Sequence, residues 1–80
     1  MSDIINSRKI ITVDCRELEP PEPMIKVLEA VHHMGDDEAV MMVHRKRPRL
    51  LFPRLDELGL KHEIREEREN RIKILIWREN

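Results

Sequence analysis

The sequence predicts an α+β fold in which two helices pack on one face of a four-stranded mixed sheet. Four segments are rich in β-branched residues or alternate between apolar and polar side chains, as strands do. Two further segments repeat apolar residues at the i, i+3, i+4 spacing of an amphipathic helix. Prolines, glycines and aspartates separate these segments. The predicted order is β-α-β-α-β-β, a two-layer sandwich around one modest core.

The first predicted strand is residues 9–14, KIITVD, whose β-branched side chains suit an extended backbone. The prolines that follow end this strand. Pro21 or Pro23 fits the first turn of a helix, where the missing N–H would have had no intrahelical partner. We expect this helix to run to about Met34, with Gly35 ending it. Its apolar stripe consists of Met24, Val27, Leu28 and Val31.

The middle of the chain contains the second strand and the second helix. Residues 39–43, AVMMV, are apolar on both alternating faces, which is typical of a strand in the middle of a sheet. The second helix is predicted to begin near Arg49 or Leu50 and to end at Gly59. We expect a short helix, because Pro53 is compatible only with the first turn. The predicted apolar side of this helix holds Leu51, Leu55 and Leu58.

The last two predicted strands, residues 60–67 and 71–78, form a hairpin with a tight polar turn at residues 69–70. In the second of them, alternation places Leu75 and Trp77 on the face opposite the isoleucines. If the helices cover only one face, these two side chains form a partly exposed apolar patch for a partner or a second copy. The alternative is that Trp77 covers the sheet edge.

We expect residues 1–8 to be a flexible leader and residues 9–80 to be a single domain. The N-terminal residues lack the apolar stretch of a signal peptide. The longest apolar run, residues 74–77, is far shorter than the roughly 20 residues of a membrane span. Cys15 is the only cysteine, so neither an internal disulfide nor a multi-cysteine zinc site is possible. These features predict a cytoplasmic protein that does not contact membranes.

The 15 basic side chains nearly cancel the 16 acidic ones, so no global field attracts nucleic acid or an anionic membrane. One local basic cluster, HRKRPR, occupies residues 44–49, which we call the basic loop. With one Phe, one Trp and no Tyr, the chain cannot offer the aromatic platforms that bind single-stranded nucleic acid. We expect a solvated loop or a contact to an acidic partner through Arg45, Lys46 and Arg47, and no nucleic-acid partner.

A strand followed by VDCRELEPPEP at residues 13–23 and then by a helix resembles the start of the TusA/SirA-like family. Members of that family open with a strand, an L-D-x-R-G-L-type turn and a C-P-x-P motif that leads into the first helix. The order of elements, the total length and the closing pair of strands also agree. The resemblance implies the same two-layer sandwich over nearly the whole chain.

The segment that matches C-P-x-P is Pro20, Pro21, Glu22 and Pro23, so Pro20 occupies the position of the carrier cysteine. In TusA-like sulfur carriers that cysteine lies at a helix N-terminus, where free N–H groups stabilise a thiolate. This chain lacks that nucleophile. The R-E-L-x-P-P-E pattern of residues 16–22 is similar to a TusA-like subfamily that is often fused to hemerythrin-like or cupin-like domains.

Cys15 is the remaining candidate for thiol chemistry. We expect a structural role, because a small, soft side chain packs well at a strand end and the neighbouring Asp14 disfavours a thiolate. The positive charge of Arg16 opposes that effect. An atypical persulfide carrier that uses Cys15 therefore stays as the alternative hypothesis.

The segment Arg16 to Pro23, which we call the proline turn (residues 16–23), has two interpretations. It is a rigid start for the helix, or its N–H groups and Arg16 bind an anion or a partner's backbone. Glutamates in the turn already complement the helix dipole and argue against a strong phosphate site. The binding candidates are Cys15, Arg16, Glu17, Pro20, Pro21, Glu22 and Pro23.

The histidines do not predict a metal site, because the adjacent pair on the first helix points about 100° apart and no H-x-x-x-H spacing occurs. No carboxylate has a recognised catalytic spacing beside a nucleophile or a glycine-rich phosphate loop. We expect no enzyme activity, no metal and no cofactor. The histidines are His32, His33, His44 and His62.

The sequence thus predicts a small non-enzymatic TusA-like accessory or binding domain that contacts a protein partner or a small ligand. The resemblance implies a redox, hemerythrin-like or sulfur-transfer protein as the partner. We expect a monomer or a weak homodimer.

Overall fold

The computed structural model of the protein describes residues 7–79. The elements in chain order are β1 (Lys9–Asp14), α1 (Glu22–His33), β2 (Glu38–His44), α2 (Leu51–Glu57), β3 (Leu60–Arg68) and β4 (Arg71–Arg78). The predicted α+β class and the β-α-β-α-β-β order are confirmed. The predicted bounds of β1 and β4 agree with the structure, and β2 and β3 extend one or two residues beyond the predicted ones.

The four strands form one sheet in the order β1-β2-β4-β3. β1 pairs with β2 in parallel, and β4 pairs antiparallel with both β2 and β3. The prediction that the AVMMV segment lies inside the sheet is confirmed, because β2 has partners on both sides. Its burial on both faces explains why its sequence does not alternate.

Both helices cover the same face of the sheet. Buried side chains of the two helices and of the central strands form one core cluster, and the isoleucines of β4 all belong to it. Its members on the helices are Val27 and Val31 of α1 and Leu51 and Leu55 of α2. The strands contribute Val40, Met42, Leu60, Ile72, Ile74 and Ile76. The two-layer arrangement predicted from the apolar stripes is therefore present.

Helix α1 begins as the prolines predict: Pro21 is its N-cap and Pro23 lies in its first turn. The helix ends at His33, and the N–H of Met34 donates to the carbonyl oxygen of Val31 at 3.2 Å. The guanidinium of Arg78 donates to the carbonyl oxygens of Met34 at 2.9 Å and Val31 at 3.4 Å. A cation from the last strand thereby satisfies the open carbonyls at the helix C-terminus.

Helix α2 is short, as Pro53 requires, and the predicted turn glycine after it is confirmed. Gly59 has φ +73°, a backbone conformation that favours glycine. The prediction that Leu58 lies on the apolar side with Leu51 and Leu55 is wrong, because Leu58 is 57% exposed. The helix ends at Glu57, so Leu58 lies outside the helical stripe.

The β3–β4 hairpin closes as predicted at residues 69–70, where Asn70 adopts φ 64°. The prediction that Leu75 belongs to a partly exposed apolar patch on the helix-free face is wrong, because Leu75 is 1% exposed. Leu75 lies in an interior strand with Met41 and Glu63 directly beside it in register, so its neighbours cover it. Trp77 on the same face is half-buried.

The predicted leader falls mostly outside the described residues, which exclude residues 1–6 and Asn80. Within the described part, Arg8 is buried, with only 8% of its side chain exposed.

Replacement of Ile74, which is fully buried between Met42 and Ile64 in the sheet, tests the core. Ile74→Ala is expected to lower the free energy of unfolding by about 3 kcal/mol, since it removes buried methylenes and leaves a cavity. The matched control is Ile10→Ala in edge strand β1, where the side chain is 44% exposed and the expected loss is below about 1 kcal/mol. Urea denaturation measures both, and similar losses would contradict the assigned core.

Candidate functional site

The proline turn and the basic loop, predicted as separate candidates, face each other across one groove. Because β1 and β2 are parallel neighbours, the segments that leave their C-terminal ends emerge at the same edge of the sheet. Between them is a cavity of about 230 Å³ at the start of both helices, which we call the helix-start groove. One wall is Pro20, Pro21, Pro23 and Met24, and the other is His44 with residues 46–51.

The proline wall is held in place by backbone hydrogen bonds. The N–H of Leu18 donates to the carbonyl oxygen of Cys15 at 3.1 Å, and the N–H of Glu22 donates to the carbonyl oxygen of Glu19 at 2.9 Å. Pro20 and Pro21 are exposed, whereas Pro23 is buried against the core. Prolines restrict the backbone further. This wall is a rigid and mainly apolar surface.

The opposite wall is anchored by two arginines of the basic loop. Arg47 makes two hydrogen bonds to the carboxylate of Glu67 on β3, at 2.8 and 2.9 Å. Arg45 extends to the proline turn, where it donates at 3.4 Å to the Leu18 carbonyl oxygen and to a Glu19 carboxylate oxygen. Arg47 thus fixes the loop to the sheet, and Arg45 connects the two walls.

The groove combines apolar surface with uncompensated positive charge. Leu50, at its rim, is 78% exposed, the most exposed of the large apolar side chains in the described chain. Lys46 and Arg49 form no ion pair with any side chain of residues 7–79. No carboxylate is among the described residues that line the groove. The groove therefore presents apolar surface next to cations that no carboxylate of the described chain neutralises.

His44, the last residue of β2, contributes a buried polar group to the groove wall. Its side chain is 6% exposed, and its Nδ1 atom has no hydrogen-bond partner in the described chain. Burial lowers the pKa of His44 and the charge of Arg45 lowers it further, while a hydrogen bond with the Cys15 backbone opposes these effects. The imidazole is therefore neutral at pH 7.

Cys15 lies beneath the site and does not line the groove. It is fully buried, and its Sγ atom is 3.9 Å from the carbonyl oxygens of Val13 and Pro23. Burial raises the pKa of the Cys15 thiol, and the charge of Asp14 raises it further against a smaller opposite effect of Lys26. A shielded, protonated thiol is a packing group rather than a nucleophile.

Arg16 is committed to a local pair. It makes two side-chain hydrogen bonds to the carboxylate of Asp14, at 3.0 and 2.8 Å, and its backbone N–H donates to the same carboxylate. These bonds lower the pKa of Asp14 to about 2. Both side chains are about half exposed, and neither lines the groove.

Five of the predicted site residues line the groove, namely Pro20, Pro21, Pro23, Lys46 and Arg47. The others lie beside or beneath it, namely Cys15, Arg16, Glu17, Glu22 and Arg45. Three further residues of the groove were not predicted as site residues, namely Met24, Leu50 and His44. The one available signal was that His44 directly follows an apolar run and is the first residue of the basic loop.

Across residues 7–79 no group of three or more His, Cys, Asp or Glu side chains is arranged to hold a metal ion. The described chain also has no helix long and apolar enough to cross a bilayer.

The lowered pKa of His44 predicts a pH-dependent stability. As the pH falls through about 6.5, the histidine's ordinary value, the unfolded chain binds a proton before the folded one does. The free energy of unfolding is therefore expected to fall with pH until the pH is below the folded-state pKa. In urea denaturation between pH 7.5 and 5, His44→Leu should show a shallower decline than the wild type. Equal slopes would contradict the assigned environment.

The burial of Cys15 predicts slow alkylation. At neutral pH, iodoacetamide should label native Cys15 roughly a hundredfold more slowly than the same protein in urea, because reaction requires local opening. The control is Thr12→Cys in a Cys15→Ala background, which places a thiol at an exposed position of β1. Labelling of native Cys15 as fast as of this control would show that the thiol is accessible.

The family model described as "Uncharacterized conserved protein (DUF2249)" matches residues 12–78. The match extends from within β1 to the end of β4 and includes both walls of the helix-start groove. No curated protein and no solved structure matches the chain. Because the family model covers most of the sequence, this chain belongs to the DUF2249 family of uncharacterized conserved proteins.

Proposed function

We propose that this protein is a non-enzymatic, TusA-like binding domain that contacts a protein partner through the helix-start groove. The observation that carries the proposal is the exposed apolar surface of Leu50 beside the unpaired cations Lys46 and Arg49. An apolar centre with a polar, charged rim is the usual composition of a protein-binding site.

The extent of the apolar surface favours a protein partner over a small ligand alone. Leu50, Pro20 and Pro21 are exposed and continue the groove outward onto the surface. A small ligand buries most of its surface in a concave pocket, whereas a protein also covers the rim. The rigid walls reduce the entropy cost of binding.

The resemblance to TusA-like proteins supports the same location. Pro20, which occupies the position of the family's carrier cysteine, lies on the groove wall just before α1. In the proposal, this protein keeps a contact surface around that position and has lost the thiol. A redox, hemerythrin-like or sulfur-transfer protein is the partner that the resemblance implies, with the domain in the cytoplasm as a monomer or weak homodimer.

The alternative of a persulfide carrier that uses Cys15 has less support. A carrier sulfur must reach the sulfur atoms of its donor and acceptor, and Cys15 is fully buried with a raised pKa. Its contacts with the carbonyl oxygens of Val13 and Pro23 instead support a packing role between β1 and the start of α1.

Selection from a random peptide display library on the immobilised full chain tests the proposal. Enriched peptides should bind the double variant Lys46→Glu/Leu50→Glu at least about tenfold more weakly than the wild type, since it removes charge and apolar contact at the rim. Both side chains are exposed, so the fold should persist.

The matched control for this selection is Leu58→Glu/Lys61→Glu, which changes one exposed leucine and one exposed lysine outside the groove. The control should bind the enriched peptides within about twofold of the wild type. Enrichment of no peptide, or of peptides that bind all three proteins equally, would refute the groove as the binding site.

A further inference from the structure

We propose that two copies of this protein associate through strand β1, whose outer edges pair antiparallel about a twofold axis. The dimer joins the two sheets into one continuous sheet, with the helices of both copies on the same face. This inference does not depend on the helix-start groove. It rests on three features of β1: open backbone groups, an edge that lacks the protection of the opposite edge, and a self-complementary order of charges.

The backbone groups on the outer side of β1 have no backbone partner among residues 7–79. β1 lies at one end of the sheet and is adjacent to β2 alone. The N–H groups of Lys9 and Cys15 donate to backbone carbonyl oxygens on the β2 side, at 2.8 and 2.7 Å. Because the backbone groups of successive residues point to alternate sides of a strand, those of Ile10, Thr12 and Asp14 point outward. Such a row of open N–H and C=O groups is a template for another strand.

The two edges of the sheet differ in how they are protected. β3, the opposite edge, carries six charged side chains among its nine residues and has an irregular register between Ile64 and Glu66. Charges and bulges of this kind prevent pairing with another chain. In β1 the charged residues are Lys9 and Asp14, one at each end, and the pairing with β2 has no register shift. The unprotected edge of the sheet is therefore β1.

Helix α1 does not cover this edge. Ile10 is 44% exposed, and Thr12 on the same face is exposed as well. On the helix side, Val13 packs against the core but is only half-buried, as is Ile11. A second β1 strand covers part of these β-branched side chains in addition to pairing with the backbone.

The charges at the ends of β1 select a second copy in antiparallel orientation. Arg8 and Lys9 lie at the start of the strand, and Asp14 ends it. In antiparallel orientation the basic start of each copy meets the acidic end of the other, whereas in parallel orientation like charges meet. Antiparallel edges are also related by a twofold axis, so the association stops at a dimer. The edge of β1 is thus complementary to itself.

The direction of the backbone groups limits the register of the two strands. Outward-facing residues must lie opposite outward-facing residues, which leaves two registers centred on the strand. One places Ile11 opposite Ile11 of the second copy and Ile10 opposite Thr12. The other places Thr12 opposite Thr12 of the second copy and Ile10 opposite Asp14. We expect the first register, because it pairs Ile10 with a β-branched side chain rather than with a carboxylate.

Sedimentation equilibrium of the full chain measures the association. Between about 10 µM and 1 mM the wild type should shift from monomer to dimer, with a dissociation constant of about 0.1–1 mM for so small an interface. Thr12→Pro removes an outward N–H and leaves the hydrogen bonds to β2, so it should weaken the association at least about tenfold. The matched control Thr12→Val keeps the N–H and should associate within about threefold of the wild type.

Amide hydrogen exchange of the wild type gives a second measurement that needs no variant. The N–H groups of Ile10, Thr12 and Asp14 should become more protected as the protein concentration rises. Those of Ile11 and Val13 face β2 and should be protected at every concentration.

Two single-cysteine variants in a Cys15→Ala background test the register. Ile11→Cys should form an intermolecular disulfide on mild oxidation, because the Cα atoms of a non-hydrogen-bonded antiparallel pair are about 4.5 Å apart. Thr12→Cys should cross-link at least about tenfold more slowly, because its Cα atoms are roughly 7–8 Å apart in this register.

The inference is overturned if the wild type is monomeric at about 1 mM, or if Thr12→Pro associates as tightly as the wild type. Exchange protection of the outward N–H groups that does not change with concentration would also overturn it. Faster cross-linking of Thr12→Cys than of Ile11→Cys would refute the assigned register. The proposed function has a separate outcome, because peptides that bind the helix-start groove should bind Thr12→Pro as tightly as the wild type.

Discussion

The parallel pairing of β1 with β2 determines where the proline turn, the basic loop and the groove between them lie. It is extended past the strand end by the N–H of Cys15, which donates to the carbonyl oxygen of Val43 at 2.7 Å. Two parallel strands require a crossover that spans the sheet, and α1 is that crossover. Both strands also end at the same edge, so their outgoing segments are neighbours. The proline turn follows β1 and the basic loop follows β2, and the groove between them results from this geometry.

Cys15 and His44 are neighbours because β1 and β2 end at the same edge of the sheet, although the two side chains have different roles. Cys15 directly follows β1 and His44 ends β2, and both side chains are buried. Cys15 packs against the start of α1, where its Sγ atom is near the Pro23 carbonyl oxygen. His44 interacts with the Cys15 backbone and lies in the groove wall. The thiol therefore supports the site, while the imidazole gives it a polar group.

Much of the fold follows from local sequence patterns. The β-branched run of β1, the two-sided apolar run of β2 and the prolines before α1 each specify an element through short-range physics. Leu58 was predicted wrongly, because the spacing of apolar residues in the sequence does not show that the helix ends at Glu57. Leu75 shows another, since its burial depends on Met41 and Glu63 in other strands.

The candidate site was predictable only in pieces. The sequence identifies the prolines and the basic loop, but their opposition across a groove depends on the pairing of β1 with β2. Leu50 resembles a core residue of α2 in sequence, yet it precedes the helix and faces solvent. His44 is an isolated histidine without a motif, and its unpartnered Nδ1 atom appears only when the surrounding side chains are in place.

The position of β4 also has a consequence for biosynthesis. β4 is the last strand in the chain but lies between β2 and β3, so the sheet has no contact between its two halves until residues 71–78 are present. During translation, the emerging β1-α1-β2 and α2-β3 units each expose one edge that only β4 can cover. The ion pair of Arg47 with Glu67 joins the basic loop to β3. It can form only after β4 has paired with both β2 and β3. Both walls of the groove precede β4 in the chain, but the Arg47–Glu67 pair that fixes the basic loop requires β4 to join β3 to the rest of the sheet.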